Sequence, residues 1–253
     1  MAEGVSHRAC RPASLDRRWR VRGPADTVGR GRSHTPSIGA RRVRGTVAAA
    51  MSLPALLDAP ATRIEEIAAW LDERTHAERV DAARSLHRTQ QRTLYTRASL
   101  AQAVTLEHFV GADRPDRTEV RHHGKNTLPA PIAFRTFEKR FCRPTDGSPR
   151  LFGYNEGASV KWFGPGYFVA KYTAGNPVWA SRGDVVVDYF EVPDGPVAET
   201  WPPVIPNSQG LQRFVFAGTR DFMRRVSKHV SIGAAYKGER SLDHYFVLVR
   251  EDV

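Results

Sequence analysis

The chain has 253 residues, of which 41% are hydrophobic, enough for one domain with a substantial core. No stretch approaches the roughly 18 apolar residues of a membrane-spanning helix, so the sequence predicts no membrane span. The two cysteines, Cys10 and Cys142, argue against a disulfide framework and fit a cytoplasmic location.

The net charge of +11 is concentrated near the start of the chain. Residues 1–50 hold eleven arginines and three acidic residues, whereas the remainder carries only +3. Because this segment has no apolar run and no amphipathic period, we predict a disordered basic segment outside the mature fold. It fits a start codon assigned upstream of Met51 or a basic tail. A targeting signal within residues 1–61 is the third interpretation, and it would replace the cytoplasmic location by export or import.

Helical patterns occupy residues 62–110. The runs that begin at Thr62 and Thr75 both have the form of a capping box, and apolar residues follow each at helical spacing. They predict a hairpin of two short helices, followed by a third helix over residues 99–109. The exposed faces mix acidic and basic side chains, which disfavours phosphate, so we do not expect a nucleic-acid partner.

Residues 111–149 predict a turn-rich linker because glycine and proline recur along them. Within this linker a short helix is predicted over residues 133–141, where Phe134, Phe137 and Phe141 fall on one side.

From residue 151 onward the apolar pattern alternates with a period of two, which predicts strands. A helix is predicted over residues 219–230, and the proline-rich residues 191–206 are expected to cross an end or a face of the sheet as extended chain. The predicted strands cover residues 151–154, 158–163, 167–172, 185–192, 213–217, 231–236 and 244–250.

These patterns predict an α+β fold for residues 51–253, taken as a single domain. An N-terminal helical hairpin would pack on an antiparallel sheet or partial β-barrel. In this interpretation residues 62–110 are helical, residues 111–149 form the linker and residues 150–253 are rich in strands.

Several sequence motifs of known chemistry are missing. The chain has no phosphate-binding loop of the Walker type, no dinucleotide fingerprint, no nucleophile elbow and no closely spaced pair of zinc ligands. These absences exclude particular families rather than catalysis in general, and they leave the cofactor and the oligomeric state unidentified.

Three residues are the candidate catalytic groups: Asp188, His229 and His244. Alternation places Asp188 among large apolar residues on one face of its predicted strand, where burial would raise its pKa unless a base pairs with it. The final hairpin would bring the two histidines together, and an imidazole oriented by Asp188 would be an effective general base. The same three side chains would alternatively supply a metal site of two histidines and one carboxylate. An ion pair for Asp188 and simple core packing for the histidines are the structural alternatives.

Four further residues are candidates for ligand binding: Tyr154, Trp162, Tyr189 and Arg224. The aromatic residues lie in or beside predicted strands, and aromatic side chains often line the cavity of a small barrel. Arg224 lies on the polar face of the predicted helix, where it would reach an anionic group. The leading hypothesis is therefore small-molecule binding in an aromatic-lined pocket. An acid–base or metal-assisted enzyme that uses Asp188 with His229 or His244 is the second, and a scaffold or protein-interaction module is the third.

Overall fold

Eight antiparallel strands form a closed barrel. A computed structural model of the protein describes residues 51–158 and 160–252, except for the side chains of residues 132 and 133. Within these residues each strand pairs with its neighbours along the chain, and the last strand pairs with the first. The strands are β1 (Val120–Asn126), β2 (Thr136–Cys142), β3 (Arg150–Glu156), β4 (Phe168–Tyr172), β5 (Val185–Asp188), β6 (Thr219–Arg225), β7 (Val230–Lys237) and β8 (Arg240–Arg250).

Short helices precede the barrel and interrupt its connections. Two 3₁₀ turns add to them, at Ala98–Leu100 and Leu211–Phe214. None of the helices in the described part of the chain is long and apolar enough to cross a membrane. The helices are α1 (Leu53–Asp58), α2 (Ile64–Asp72), α3 (His76–Ser85), α4 (Arg88–Arg97), α5 (Leu106–Phe109), α6 (Ile132–Arg135), α7 (Val160–Phe163) and α8 (Pro177–Ala180).

The predicted fold class, an α+β protein with a helical hairpin packed on an antiparallel sheet or partial barrel, is wrong. β1 pairs with β2 along one side and with β8 along the other, so the sheet closes completely and has no free edge. Four short helices, α1 to α4, replace the predicted hairpin and lie outside the barrel. The predicted disordered segment, residues 1–50, lies outside the described residues.

Alternation along the strands builds one core inside the barrel. Phe141, Leu151, Phe168, Val185 and Met223 come from five different strands and belong to one buried cluster. Helix α5 contributes to the same cluster and closes one end of the barrel. A small barrel of eight strands has an interior that side chains can just fill, and here they fill the half next to α5.

The outer face of β7 and β8 is also apolar, and the N-terminal helices cover it. Ile232 and Val247 point outward and are fully buried against α1 to α4, together with Ile67, Leu71 and Leu94. Strands that are buried on both faces carry nearly continuous apolar runs. The helices are therefore held by the barrel wall rather than by each other alone.

The proline-rich segment covers a second part of the outer face, as predicted for residues 191–206. Trp201 packs against Tyr154 and Tyr167, with ring centroids 5.0 and 6.3 Å apart. Phe152 and Val169 complete this cluster on the outside of β3 and β4. The prolines of this segment have no amide hydrogen to donate to a neighbouring strand, and the segment packs through its side chains instead.

Several predicted elements have a different secondary structure. The predicted helix over residues 133–141 lies mostly in β2, and the one over residues 99–109 is reduced to a 3₁₀ turn and α5. The predicted helix over residues 219–230 is β6 and the turn after it. The predicted strand over residues 158–163 is replaced by α7, and the one over residues 213–217 overlaps a 3₁₀ turn. The segment predicted as a linker, residues 111–149, contributes the strands β1 and β2.

Candidate functional site

A cavity of about 460 Å³ opens at the end of the barrel opposite α5. The ends of β1, β3 and β7 and the beginnings of β2, β6 and β8 surround it, because antiparallel strands alternate in direction around the barrel. Loop residues 128–131 and the segment before β6 form the mouth. A cavity of this size suits a small organic molecule.

The walls of the cavity are mainly aromatic. Phe137 and Phe246 approach each other from β2 and β8, with ring centroids 6.0 Å apart. Phe216 stacks on Tyr189 at 5.2 Å and 22°. Near the mouth the lining includes Leu128, Phe134, Phe163, Val215 and Leu242. Such walls favour an apolar ligand with ring character.

Four polar side chains lie together on the cavity floor: Lys139, Asn155, Tyr189 and Asp221. Lys139 Nζ lies 3.2 Å from Asp221 Oδ2 and donates to Asn155 Oδ1 at 3.0 Å and to the Tyr189 hydroxyl. Tyr189 donates to Asp221 Oδ2 at 3.3 Å. The four groups therefore form one hydrogen-bonded cluster, which we call the floor cluster.

The floor cluster is almost completely removed from water. The side chains of Lys139 and Asp221 are only 2% and 8% exposed. Burial lowers the pKa of Lys139 and raises the pKa of Asp221, and in each case the partner's charge opposes the shift. Burial and the neighbouring carboxylate raise the pKa of Tyr189 well above its ordinary value, so its hydroxyl stays protonated.

Backbone contacts hold the floor cluster in position. Asn155 Nδ2 donates to the carbonyl oxygen of Gly166 at 3.0 Å, and Asn207 Nδ2 donates to that of Tyr189 at 2.8 Å. Gly166 has a φ of +57°, and a Cβ there would lie 2.5 Å from the ring of Phe216. The absence of a side chain at Gly166 therefore lets Phe216 reach its position in the wall.

His244 is the one predicted catalytic residue that lines the cavity. It lies on β8, opposite Ala235 of β7, and its buried Nδ1 has no hydrogen-bond partner within residues 51–158 and 160–252. Burial lowers the pKa of its imidazole. His244 therefore lies in the cavity wall, between the floor cluster and the mouth, where its ring can contact a ligand.

Asp188 faces away from the cavity. It is buried on the outer side of the barrel, where its Oδ2 lies 3.0 Å from Arg220 Nε and 3.7 Å from Lys171 Nζ. Arg220 in turn packs between the rings of Trp179 and Phe190, 4.5 and 4.0 Å from their centroids. Two basic side chains thus pair with this carboxylate, which agrees with the structural alternative of an ion pair for Asp188.

The structure does not bring His229 near His244. His229 lies in the turn before β7, with its Nδ1 3.2 Å from Asp252 Oδ1, and burial lowers its pKa. Val230 pairs with Val249, whereas Ala235 pairs with His244. The two histidines are therefore at opposite ends of the last hairpin.

Among residues 51–158 and 160–252, no group of three or more histidine, cysteine or acidic side chains is arranged to hold a metal ion.

Of the four candidate ligand-binding residues, Tyr189 lines the cavity. Tyr154 packs on the outer face of the barrel against Trp201. Trp162 is 68% exposed on α7. Arg224 points outward and donates to the carbonyl oxygens of Tyr95 and Ser181 at 2.8 and 3.0 Å.

Lys139, Asn155 and Asp221 were not among the candidate residues. A period of two places Phe137, Lys139 and Phe141 on one face, so a lysine between two inward phenylalanines was a detectable signal. The predicted helix over residues 133–141 concealed it, since a helix separates these positions. The predicted helix over residues 219–230 concealed Asp221 in the same way.

Comparison with protein-family models, with curated proteins and with solved structures finds no match. The cavity, its aromatic walls and the floor cluster are therefore the features that indicate a function.

Proposed function

We propose that the protein binds a small, largely apolar molecule in the open end of the barrel. The observation that carries this proposal is the cavity of about 460 Å³ with aromatic walls and the four polar groups of its floor cluster. Binding sites for small molecules commonly combine apolar walls with a few convergent polar groups that fix orientation.

The walls and floor restrict the chemistry of the ligand. Ring faces at Phe137, Phe216 and Phe246 favour a flat, apolar body. Lys139 and Tyr189 are hydrogen-bond donors beside the cavity, and a ligand oxygen placed at the floor can accept from one of them by replacing one of its partners in the floor cluster. The best-supported ligand is thus a ring compound with one oxygen function.

The two alternative functions have less support. An enzyme that combines Asp188 with His229 or His244 needs groups that lie on different faces and ends of the barrel. A scaffold that uses a helical hairpin needs an apolar face on α1 to α4, and their buried residues are already packed on β7 and β8.

Fluorescence titration with N-phenyl-1-naphthylamine tests the proposal. This neutral ring compound emits strongly in apolar surroundings, so we expect saturable one-site binding. Ala235→Phe fills the cavity from β7 and should abolish the signal, whereas Ala174→Phe adds the same ring at an exposed site outside the cavity. Absence of saturable binding to the wild-type protein, or equal binding by Ala235→Phe, would contradict the proposal.

A further inference from the structure

We infer that Lys139 is the reactive group of the cavity and captures a carbonyl compound, an aldehyde or ketone on an apolar ring system, as a Schiff base. The inference rests on the proposed function, because the compound must first enter the same cavity. It adds a covalent step and a ligand class to that function.

The position of Lys139 favours contact with a ligand. A buried ion pair costs so much desolvation that apolar residues of similar volume often give equal or greater stability. The Lys139–Asp221 pair nevertheless lies on the floor of an open cavity rather than in the sealed half of the barrel. Stability alone does not explain an amine there, whereas contact with a ligand does.

Aromatic rings surround the amine of Lys139. Lys139 Nζ lies 4.8 to 4.9 Å from the ring centroids of Phe168, Tyr189 and Phe246. A desolvated lysine in an apolar pocket is activated as a nucleophile, because burial favours the neutral amine. The shifted pKa values of Lys139 and Asp221 both favour passing the proton from the ammonium to the carboxylate.

The step balances with groups that the cavity contains. Asp221 takes a proton from Lys139, and the free Nζ attacks the carbonyl carbon to form an N–C bond. A proton passes from nitrogen to the former carbonyl oxygen through the Tyr189 hydroxyl, which gives a carbinolamine. Asp221 then gives its proton to the hydroxyl group of the carbinolamine. The bond between this oxygen and the former carbonyl carbon breaks, and water leaves. The product is a protonated imine beside the Asp221 carboxylate, and no oxidant or reductant is consumed.

The geometry also protects the product. Asp221 Oδ2, 3.2 Å from Nζ, becomes the counterion of the protonated imine. The aromatic walls exclude water from the linkage once a ring compound fills the cavity, which slows its hydrolysis. The one N–H of the protonated imine can donate to Asp221, which keeps the nitrogen on the floor, so the ring of the ligand extends toward the mouth.

Reductive trapping tests the inference on the full chain. The protein is incubated with 2-naphthaldehyde and sodium cyanoborohydride, and intact mass and peptide mapping locate the adduct. We expect one adduct per chain, on Lys139, formed at least tenfold faster than at any exposed lysine. N-phenyl-1-naphthylamine should block it, Lys139→Met should lack it, and Lys228→Met, at an exposed position, should retain it.

Peptide mapping of the wild-type protein decides the question even if Lys139→Met fails to fold. An adduct rate at Lys139 no higher than at Lys228 would overturn the inference. If N-phenyl-1-naphthylamine still binds in that case, the Schiff base is wrong and the binding function stands. If the probe does not bind either, both are wrong.

Discussion

Lys139 and Asp221 form an ion pair inside the barrel, with Nζ and Oδ2 3.2 Å apart and both side chains buried. The residues come from β2 and β6, which are not neighbours in the sheet, so the pair crosses the barrel interior. It marks the boundary between the packed half of the barrel and the open cavity.

Breaking this pair should be far more costly than replacing it. We expect Asp221→Leu alone to lower the free energy of unfolding by about 3–5 kcal/mol, because it leaves the Lys139 amine unpaired in an apolar site. The double variant Lys139→Met, Asp221→Leu should lie within about 1 kcal/mol of wild type. Urea denaturation followed by tryptophan fluorescence measures both. A double variant that loses the full sum of its two single variants would show that the pair is not coupled.

A second prediction concerns the pH dependence of stability. His122 lies inside the barrel with Nε2 3.0 Å from the Phe109 carbonyl oxygen, and burial lowers its pKa from 6.5 to about 3. Between these values the unfolded chain binds a proton that the native protein does not. The contribution of His122 is therefore complete above pH 6.5 and is lost as the pH falls toward 3, at up to about 1.4 kcal/mol per pH unit.

His122→Asn should reduce the slope of the unfolding free energy against pH between pH 6 and pH 4 by the contribution of one bound proton. The measurement is the urea unfolding free energy at several pH values. His87→Asn is the matched control, since this exposed histidine caps α4 and asparagine can also cap a helix. An unchanged slope in His122→Asn would show that His122 already takes up a proton in the native barrel.

Hydrophobic periodicity could not predict the closure of the barrel. β1 has the sequence VRHHGKN, and its inward positions in the middle of the strand are His122 and Gly124 rather than large apolar residues. A Cβ at Gly124 would lie 2.8 Å from the ring of Phe137, so the strand needs a small residue there. If β1 is not recognised as a strand, β8 has no neighbour along one of its edges, and a partial barrel is the expected fold.

The sequence predicted an aromatic-lined cavity but not most of the polar residues that line it. The aromatic content of the strands indicated a lined cavity, and Tyr189 and His244 do line one. The sequence did not show on which side of the barrel wall Asp188 lies. The run Val185–Asp188 is buried on both faces, so alternation does not tell which face is internal. Pairing across the sheet resolves it, because Tyr189 and Asp221 face inward and Asp188 and Arg220 face outward.

A third prediction separates these two acids. Asp188→Asn should destabilise the protein by roughly 2–3 kcal/mol, since it removes the partner of Arg220 in a buried ion pair. It should leave the Kd for N-phenyl-1-naphthylamine within about twofold, because Asp188 lies outside the cavity. The fluorescence titration at a temperature where both proteins are folded measures this. A large loss of affinity with unchanged stability would instead place Asp188 in the binding site.

The last prediction uses two glycines that both have a positive φ but lie in different surroundings. Gly166 and Gly175 have φ values of +57° and +95°, so alanine at either position introduces backbone strain of about 1–2 kcal/mol. A Cβ at Gly166 would lie 2.5 Å from the ring of Phe216, whereas a Cβ at Gly175 would have no neighbouring atom within 4 Å among the residues that the structure describes.

Gly166→Ala should therefore displace Phe216 from its stack on Tyr189 and change the cavity wall, and Gly175→Ala should not. We expect Gly166→Ala to weaken binding of N-phenyl-1-naphthylamine by about 1 kcal/mol, roughly fivefold in Kd, and Gly175→Ala to leave it unchanged. Thermal unfolding of both variants gives the strain that they share. Equal affinities for the two variants would contradict the role of Phe216 in the binding wall. Any change in affinity would then come from the backbone strain that both variants share.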